Sequence, residues 1–116
     1  MLLLVEPARI IEKPEPMTVT TGNPFALECV VTGTPELSAK WFKDGREIAA
    51  DSKHHITFVN KVASLKIPCA EMSDKGLYSF EVKNSVGKSN CTVSVHVSGE
   101  YYEVFMNISF SLGGKK

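Results

Sequence analysis

Apolar and polar residues alternate with a period of two along most of this chain, and no stretch carries a convincing helical period. Phe25, Leu27, Cys29 and Val31 fall on one face, with Ala26, Glu28 and Val30 on the other. Leu37, Ala39 and Trp41 alternate with Ser38, Lys40 and Phe42. Ile56 goes with Phe58, Ala63 with Leu65 and Ile67, and Tyr78 with Phe80 and Val82. The last series is Cys91, Val93, Val95 and Val97, interleaved with Thr92, Ser94 and His96. One face dry and one wet is what an antiparallel strand in a two-layer sandwich requires.

Turn chemistry separates these runs. Thr21-Gly22-Asn23-Pro24 precedes the first strong strand and Gly33-Thr34-Pro35 follows it. Asp44-Gly45 closes a tight hairpin, and Asn84-Ser85-Val86-Gly87 joins the last two strands. Roughly seven or eight short strands at this spacing are the signature of a β-sandwich. Near the start, Ala8–Glu12 and Met17–Thr20 flank Lys13-Pro14-Glu15-Pro16. Proline donates nothing to a ladder, so this segment predicts an edge strand that breaks and changes sheets.

A length of 116 residues fits one domain, and 43% hydrophobic with 22% charged residues is an ordinary globular mixture. Thirteen basic residues balance thirteen acidic ones. That balance argues against nucleic acid or an anionic membrane as main partner, since both ask for a positive excess. Met1–Val5 is shorter than the apolar segment of a signal peptide and lacks its basic flank. Cys29, Cys69 and Cys91 have no CxxC or paired Cys/His spacing, so they read as buried or half-buried free thiols and not as zinc ligands. Cys69 is expected to be an inert loop thiol, and Cys91 is a candidate for meeting another thiol under oxidative stress. His54 and His55 would point to opposite faces of a strand and cannot chelate together. No nucleophile elbow and no phosphate-cradling glycine motif is present, so catalytic, metal and cofactor sites are all expected to be absent. Asn90-Cys91-Thr92 and Asn107-Ile108-Ser109 match glycosylation sequons, which matter only in a secretory chain.

Five pieces occur in a fixed order: Leu27-x-Cys29, Trp41-Phe42-Lys43-Asp44-Gly45, Leu65-x-Ile67, Asp74-x-Gly76-x-Tyr78 and Asn84-x-x-Gly87. Together they resemble the I-set immunoglobulin family over residues 7–98. The resemblance implies an all-β immunoglobulin-like sandwich of two antiparallel sheets. Leu27, Cys29, Trp41, Leu65, Asp74, Gly76, Tyr78 and Phe80 would form its structural core. Trp41 would be the large side chain between the sheets, and Tyr78 would bond back to backbone near Asp74. Gly76 would permit a tight turn before the Tyr78 strand, and Asp74 would cap it.

One departure is informative. The family's second core cysteine stands two residues after Tyr78, where this chain has Phe80. No disulfide from Cys29 can form at that place. Closing a loop of about 50 residues would contribute roughly 4 kcal/mol in the chain-entropy model. A buried phenylalanine recovers about 2–3 kcal/mol by burial. Forgoing the bridge suits a reducing compartment, so a cytoplasmic module is expected.

Glu6-Pro7-Ala8 with Glu12-Lys13-Pro14-Glu15, and Gly33–Ser38 before Lys40–Gly45, resemble modules of intracellular muscle filament proteins. The resemblance implies a mechanical spacer and scaffold in the sarcomere, whose partners are neighbouring immunoglobulin or fibronectin-type domains and cytoskeletal or sarcomeric proteins. The alternatives are a protein-recognition domain of a cytoskeletal or actin/myosin-associated protein and an extracellular adhesion or receptor domain. Residues 1–6 are expected to be a linker start or non-native, with 7–98 as the domain. Residues 99–116 are expected to be an extension, either disordered or read through from an intron. Gly99-Glu100-Tyr101 can be encoded by a splice-donor-like sequence, and Val5-Glu6 by an acceptor-like one.

Overall fold

A computed structural model of the chain describes residues 4–99. The expectations placed on the far tail, the second sequon included, lie outside the described residues. The alternating runs become β1 (Glu6–Glu12), β2 (Met17–Thr20), β3 (Phe25–Thr34), β4 (Ser38–Lys43), β5 (Arg46–Glu47), β6 (His55–Val59), β7 (Val62–Ile67), β8 (Gly76–Asn84) and β9 (Gly87–Ser98). A 3₁₀ turn, Met72–Asp74, links β7 to β8.

Two sheets form, one ordered β1-β3-β7-β6 and the other β2-β9-β8-β4-β5. The fold is the all-β sandwich that the alternation requires. The proline segment behaves as expected: β1 pairs with β3 in the first sheet, and after Pro14 and Pro16 the chain resumes as β2 against β9 in the second. Here one refinement is needed. The β2–β9 pair is parallel, with Met17 opposite Val95 and Thr20 opposite Ser98, while the remaining pairs are antiparallel. A strand that leaves one sheet and joins the far edge of the other keeps its direction, and there it meets the last strand running the same way.

Hairpin chemistry follows the residues. Asp44 (φ 50°) and Gly45 (φ 87°) both take the left-handed conformation that a two-residue turn between twisted strands demands. Asn84 pairs with Gly87 across the β8–β9 turn. That register sets Phe80 opposite Cys91 and, on its other side, opposite Trp41.

The interior is built from the predicted faces: Phe25, Leu27, Cys29 and Val31 of β3, Ala63, Leu65 and Ile67 of β7, Tyr78, Phe80 and Val82 of β8, and Val93, Val95 and Val97 of β9 are all buried. Two expectations need correction. Phe58 does not share the interior with Ile56; it is 37% exposed, because β6 is the last strand of its sheet among the described residues. Cys69 is neither buried nor half-buried but exposed, in the connection that follows β7.

Candidate functional site

Three clusters organise the molecule, and the first lies between the sheets. Trp41 from β4 and Phe80 from β8 are nearly fully buried, their ring centroids 4.7 Å apart and tilted by 51°. Cys29 projects from β3 in the facing sheet, wholly buried. Its sulfur lies 3.8 Å from the Sγ of half-buried Cys91 on β9. Burial pushes the Cys29 thiol well above its ordinary pKa, and the neighbouring Cys91 adds to the effect. Leu27 and Leu65 complete the row as a directly opposed pair on β3 and β7. The Trp41 indole N–H finds no acceptor among the described residues. That costs about 1–3 kcal/mol, which the burial of so large a ring offsets.

The second cluster is the corner before β8. The Tyr78 hydroxyl donates to the Asp74 carbonyl oxygen at 2.6 Å. The Asp74 side chain accepts from the Glu71 N–H at 2.7 Å, closing the 3₁₀ turn, and lies 3.0 Å from Lys53 Nζ. Lys53 also donates to Glu71, and this bond above all raises the lysine's pKa. Tyr78 is raised as well, by burial first and then by the charges of Asp74 and Asp44. Phe25 meets the Tyr78 ring edge-to-face at 6.4 Å. Gly76 opens β8 directly after the 3₁₀ turn, at a φ of 157° that favours glycine, as expected. A close approach adds to that demand: a Cβ there would sit 2.8 Å from the Asp44 carboxylate, which accepts the Leu77 N–H.

The third cluster holds the incoming chain, and sequence reasoning missed most of it. Asn84 donates through Nδ2 to the carbonyls of Glu6 (2.6 Å) and Thr34 (3.0 Å), and its Oδ1 accepts from the Ala8 and Val86 N–H groups. Ser89 donates to the Ala8 carbonyl and Thr34 to that of Leu4. The strand passes so closely that a Cβ on Gly87 would lie 2.5 Å from Pro7 Cβ. The Asn84-x-x-Gly87 spacing was the available signal: a side chain able to bond both ways, then a residue with no side chain beneath the crossing strand.

Entry and exit therefore lie at opposite poles. The incoming strand is fixed beside Thr34 and the β8–β9 turn, whereas β9 runs 12 residues away from that turn. It ends at Ser98, whose carbonyl accepts the Thr21 N–H at 2.9 Å. At ~3.3 Å per residue this spans about 40 Å.

Of the solvent-facing candidates, His54 borders the second cluster through its neighbour Lys53. His54 Nδ1 lies 3.0 Å from Asp51, which also accepts the His54 and Lys53 backbone N–H groups, and His55 is exposed at the start of β6. Among the described residues no group of three or more His, Cys, Asp or Glu is placed to hold a metal ion.

A family model described as "Immunoglobulin I-set domain" matches residues 8–97. The chain is 34% identical over 96 residues to titin of Drosophila melanogaster, covering 83% of this chain and, to the nearest per cent, 0% of that protein. It is 36% identical over 90 residues to the muscle M-line assembly protein unc-89 of Caenorhabditis elegans, covering 76% of this chain and 1% of that one. A solved structure of titin domains Z1Z2 in complex with telethonin superposes with a TM-score of 0.80 at 32% identity, over 83% of this chain and 49% of that chain. The chain spans well under a tenth of the length of these curated relatives.

Proposed function

The chain belongs to the immunoglobulin I-set family, and from that premise we propose that it is a non-enzymatic, load-bearing module of a giant cytoplasmic muscle protein, serving as elastic spacer and scaffold in the sarcomere. Its homology to titin and other muscle proteins supports a structural or binding role. The observation that carries the mechanical reading is the parallel pairing of β2 with β9. Force applied at the two poles draws β2 towards the entry pole and β9 towards the exit pole. Parallel strands pulled that way slide along each other, so their ladder bonds must break together. Antiparallel neighbours pulled from one end would open one bond at a time. The domain would cover residues 7–98, flanked in the parent by immunoglobulin or fibronectin-type neighbours.

Stretching a tandem array of this module by single-molecule force spectroscopy tests the reading. A Val19→Pro array, which loses one ladder donor of β2, should unfold at clearly lower force than the parent array. Equal force in both arrays would sink the mechanical role. A second reading, protein recognition in the sarcomere, is favoured by β6, an edge strand that leaves Phe58 and Val59 exposed. Retention of a sarcomeric protein by this module, lost on Phe58→Asp, would support it.

A further inference from the structure

The sandwich brings together a pair of thiols, Cys29 and Cys91, whose chemistry the load-bearing reading does not use. They come from different sheets, one residue on β3 and the other on β9, yet their sulfurs lie 3.8 Å apart. The register explains the meeting. Phe80 on β8 is paired with Cys91 on the adjoining strand, and the Cys91 sulfur reaches Cys29 in the other sheet. The thiol that Phe80 displaces from β8 is thus replaced one strand over. Access is unequal. Cys29 is wholly buried, while half-buried Cys91 lines an open groove with Arg9, Ile10, Glu12, Lys13 and Ser89.

We propose that Cys29 and Cys91 form a reversible inter-sheet disulfide when the protein meets a hydroperoxide, with Cys91 as the thiol attacked first and Cys29 as the resolving thiol. The Cys91 thiolate attacks one oxygen of the hydroperoxide, the O–O bond breaks, and an alcohol leaves with the thiol's proton (water, if the oxidant is hydrogen peroxide). Cys91 becomes a sulfenic acid. Cys29 sulfur then attacks the Cys91 sulfur, the S–O bond breaks, and the hydroxyl leaves as water with the Cys29 proton. Two thiols give up two electrons and the hydroperoxide takes them. The sulfurs must close to about 2.05 Å, an approach of about 1.8 Å that rotation of the Cys91 side chain can deliver. Burial keeps Cys29 from meeting the oxidant, so oxidation begins at Cys91.

The link has a mechanical consequence that follows from topology alone. The two cysteines are 62 positions apart, so a bond between them shields that segment from extension. The length released on unfolding then falls by about 220 Å, taking roughly 3.6 Å per residue.

The test uses the whole chain carrying Cys69→Ser, which removes the exposed thiol as a competitor. After treatment with hydrogen peroxide, the intact mass should fall by two hydrogen atoms. Both remaining thiols should resist alkylation in denaturant, a non-reducing digest should yield one peptide joining Cys29 to Cys91, and dithiothreitol should reverse all three. Cys91→Ser should abolish the link with the fold intact, which the unchanged circular dichroism of this half-buried substitution checks. Oxygen atoms accumulating on Cys91 while Cys29 stays alkylatable would overturn the proposal, as would full-length extension of the oxidised chain. Bond formation is read without force, so its failure is separable from failure of the load-bearing role.

Discussion

The middle of the sandwich and its entry pole are held together by different physics. Around Trp41 and Phe80 the attraction is non-directional burial, shared among many side chains from both sheets. At the entry pole one side chain, Asn84, makes four hydrogen bonds to backbone of three segments, with Gly87 and Ser89 beside it. The middle can therefore absorb a change of chemistry, with Phe80 where the family pattern has a cysteine, so long as the interior stays filled. The pole cannot, since its bonds depend on the atoms of one residue. The middle governs whether the domain folds, and the pole governs how the chain is handed into it.

The sharpest way to break this contrast is Trp41→Ala. Its cavity lies where both sheets meet, so unfolding by urea should show a loss of about 3–5 kcal/mol, or no cooperative fold at all. A loss below about 1 kcal/mol would mean that the middle is not held by burial. Asn84→Ala is the corresponding change at the pole. It should reduce stability by about 1–3 kcal/mol, because partly buried carbonyls and N–H groups lose a partner. Hydrogen exchange separates the two: after Asn84→Ala the Ala8 amide should exchange much faster while the Leu27 and Leu65 amides keep their order. Uniform acceleration would show that the pole is energetically part of the core.

Most of this architecture was legible beforehand, and what escaped has a common cause. Strand faces such as Leu27–Cys29 and Tyr78–Phe80 announce themselves because period-two burial is written into neighbouring residues. The break at Pro14 and Pro16 is equally local. The alternation around Phe58 says interior, while its exposure is set by β6 standing at the edge of its sheet among the described residues. The positive φ of Gly76 is local, but its second constraint, the Asp44 carboxylate, comes from 32 positions earlier in the chain. Lys53 reaching Asp74, Asn84 reaching Glu6 and Cys29 meeting Cys91 are likewise set by which strands lie side by side. Only the last could have been worked out, by counting the register of the Asn84–Gly87 hairpin back to Phe80 and Cys91.

The corner at Tyr78 lies between the two regimes, with a ring in the core and a hydroxyl on a single backbone bond. Tyr78→Phe keeps the ring and its edge-to-face contact with Phe25 but removes the bond to Asp74. Stability should fall by about 1 kcal/mol, a typical value for one hydrogen bond. Calorimetry would register this as a drop of several degrees in Tm for a domain of about 100 residues. An unchanged Tm would assign the corner wholly to packing.

The smallest effect belongs to the exposed carboxylates, where directional bonds meet full solvation. Asp44 accepts the Leu77 N–H and lies near Lys43, and Asp51 accepts the His54 N–H; both are held below the ordinary carboxylate pKa, the backbone bond being the main cause in each. A carboxylate whose pKa is depressed on folding binds fewer protons in the native state than in the unfolded chain. Stability from it is therefore fully present above about pH 4, the unfolded value, and is lost as pH falls through the folded one. Both groups are exposed, so solvent screening keeps the effect slight. Asp44→Asn retains an oxygen for Leu77 and tolerates the positive φ of this turn, but it cannot titrate. Urea midpoints measured at pH 6 and pH 3 should therefore differ less for Asp44→Asn than for the parent chain. An equal difference in the two would place the acid sensitivity elsewhere, with Asp51 beside His54 the next residue to replace.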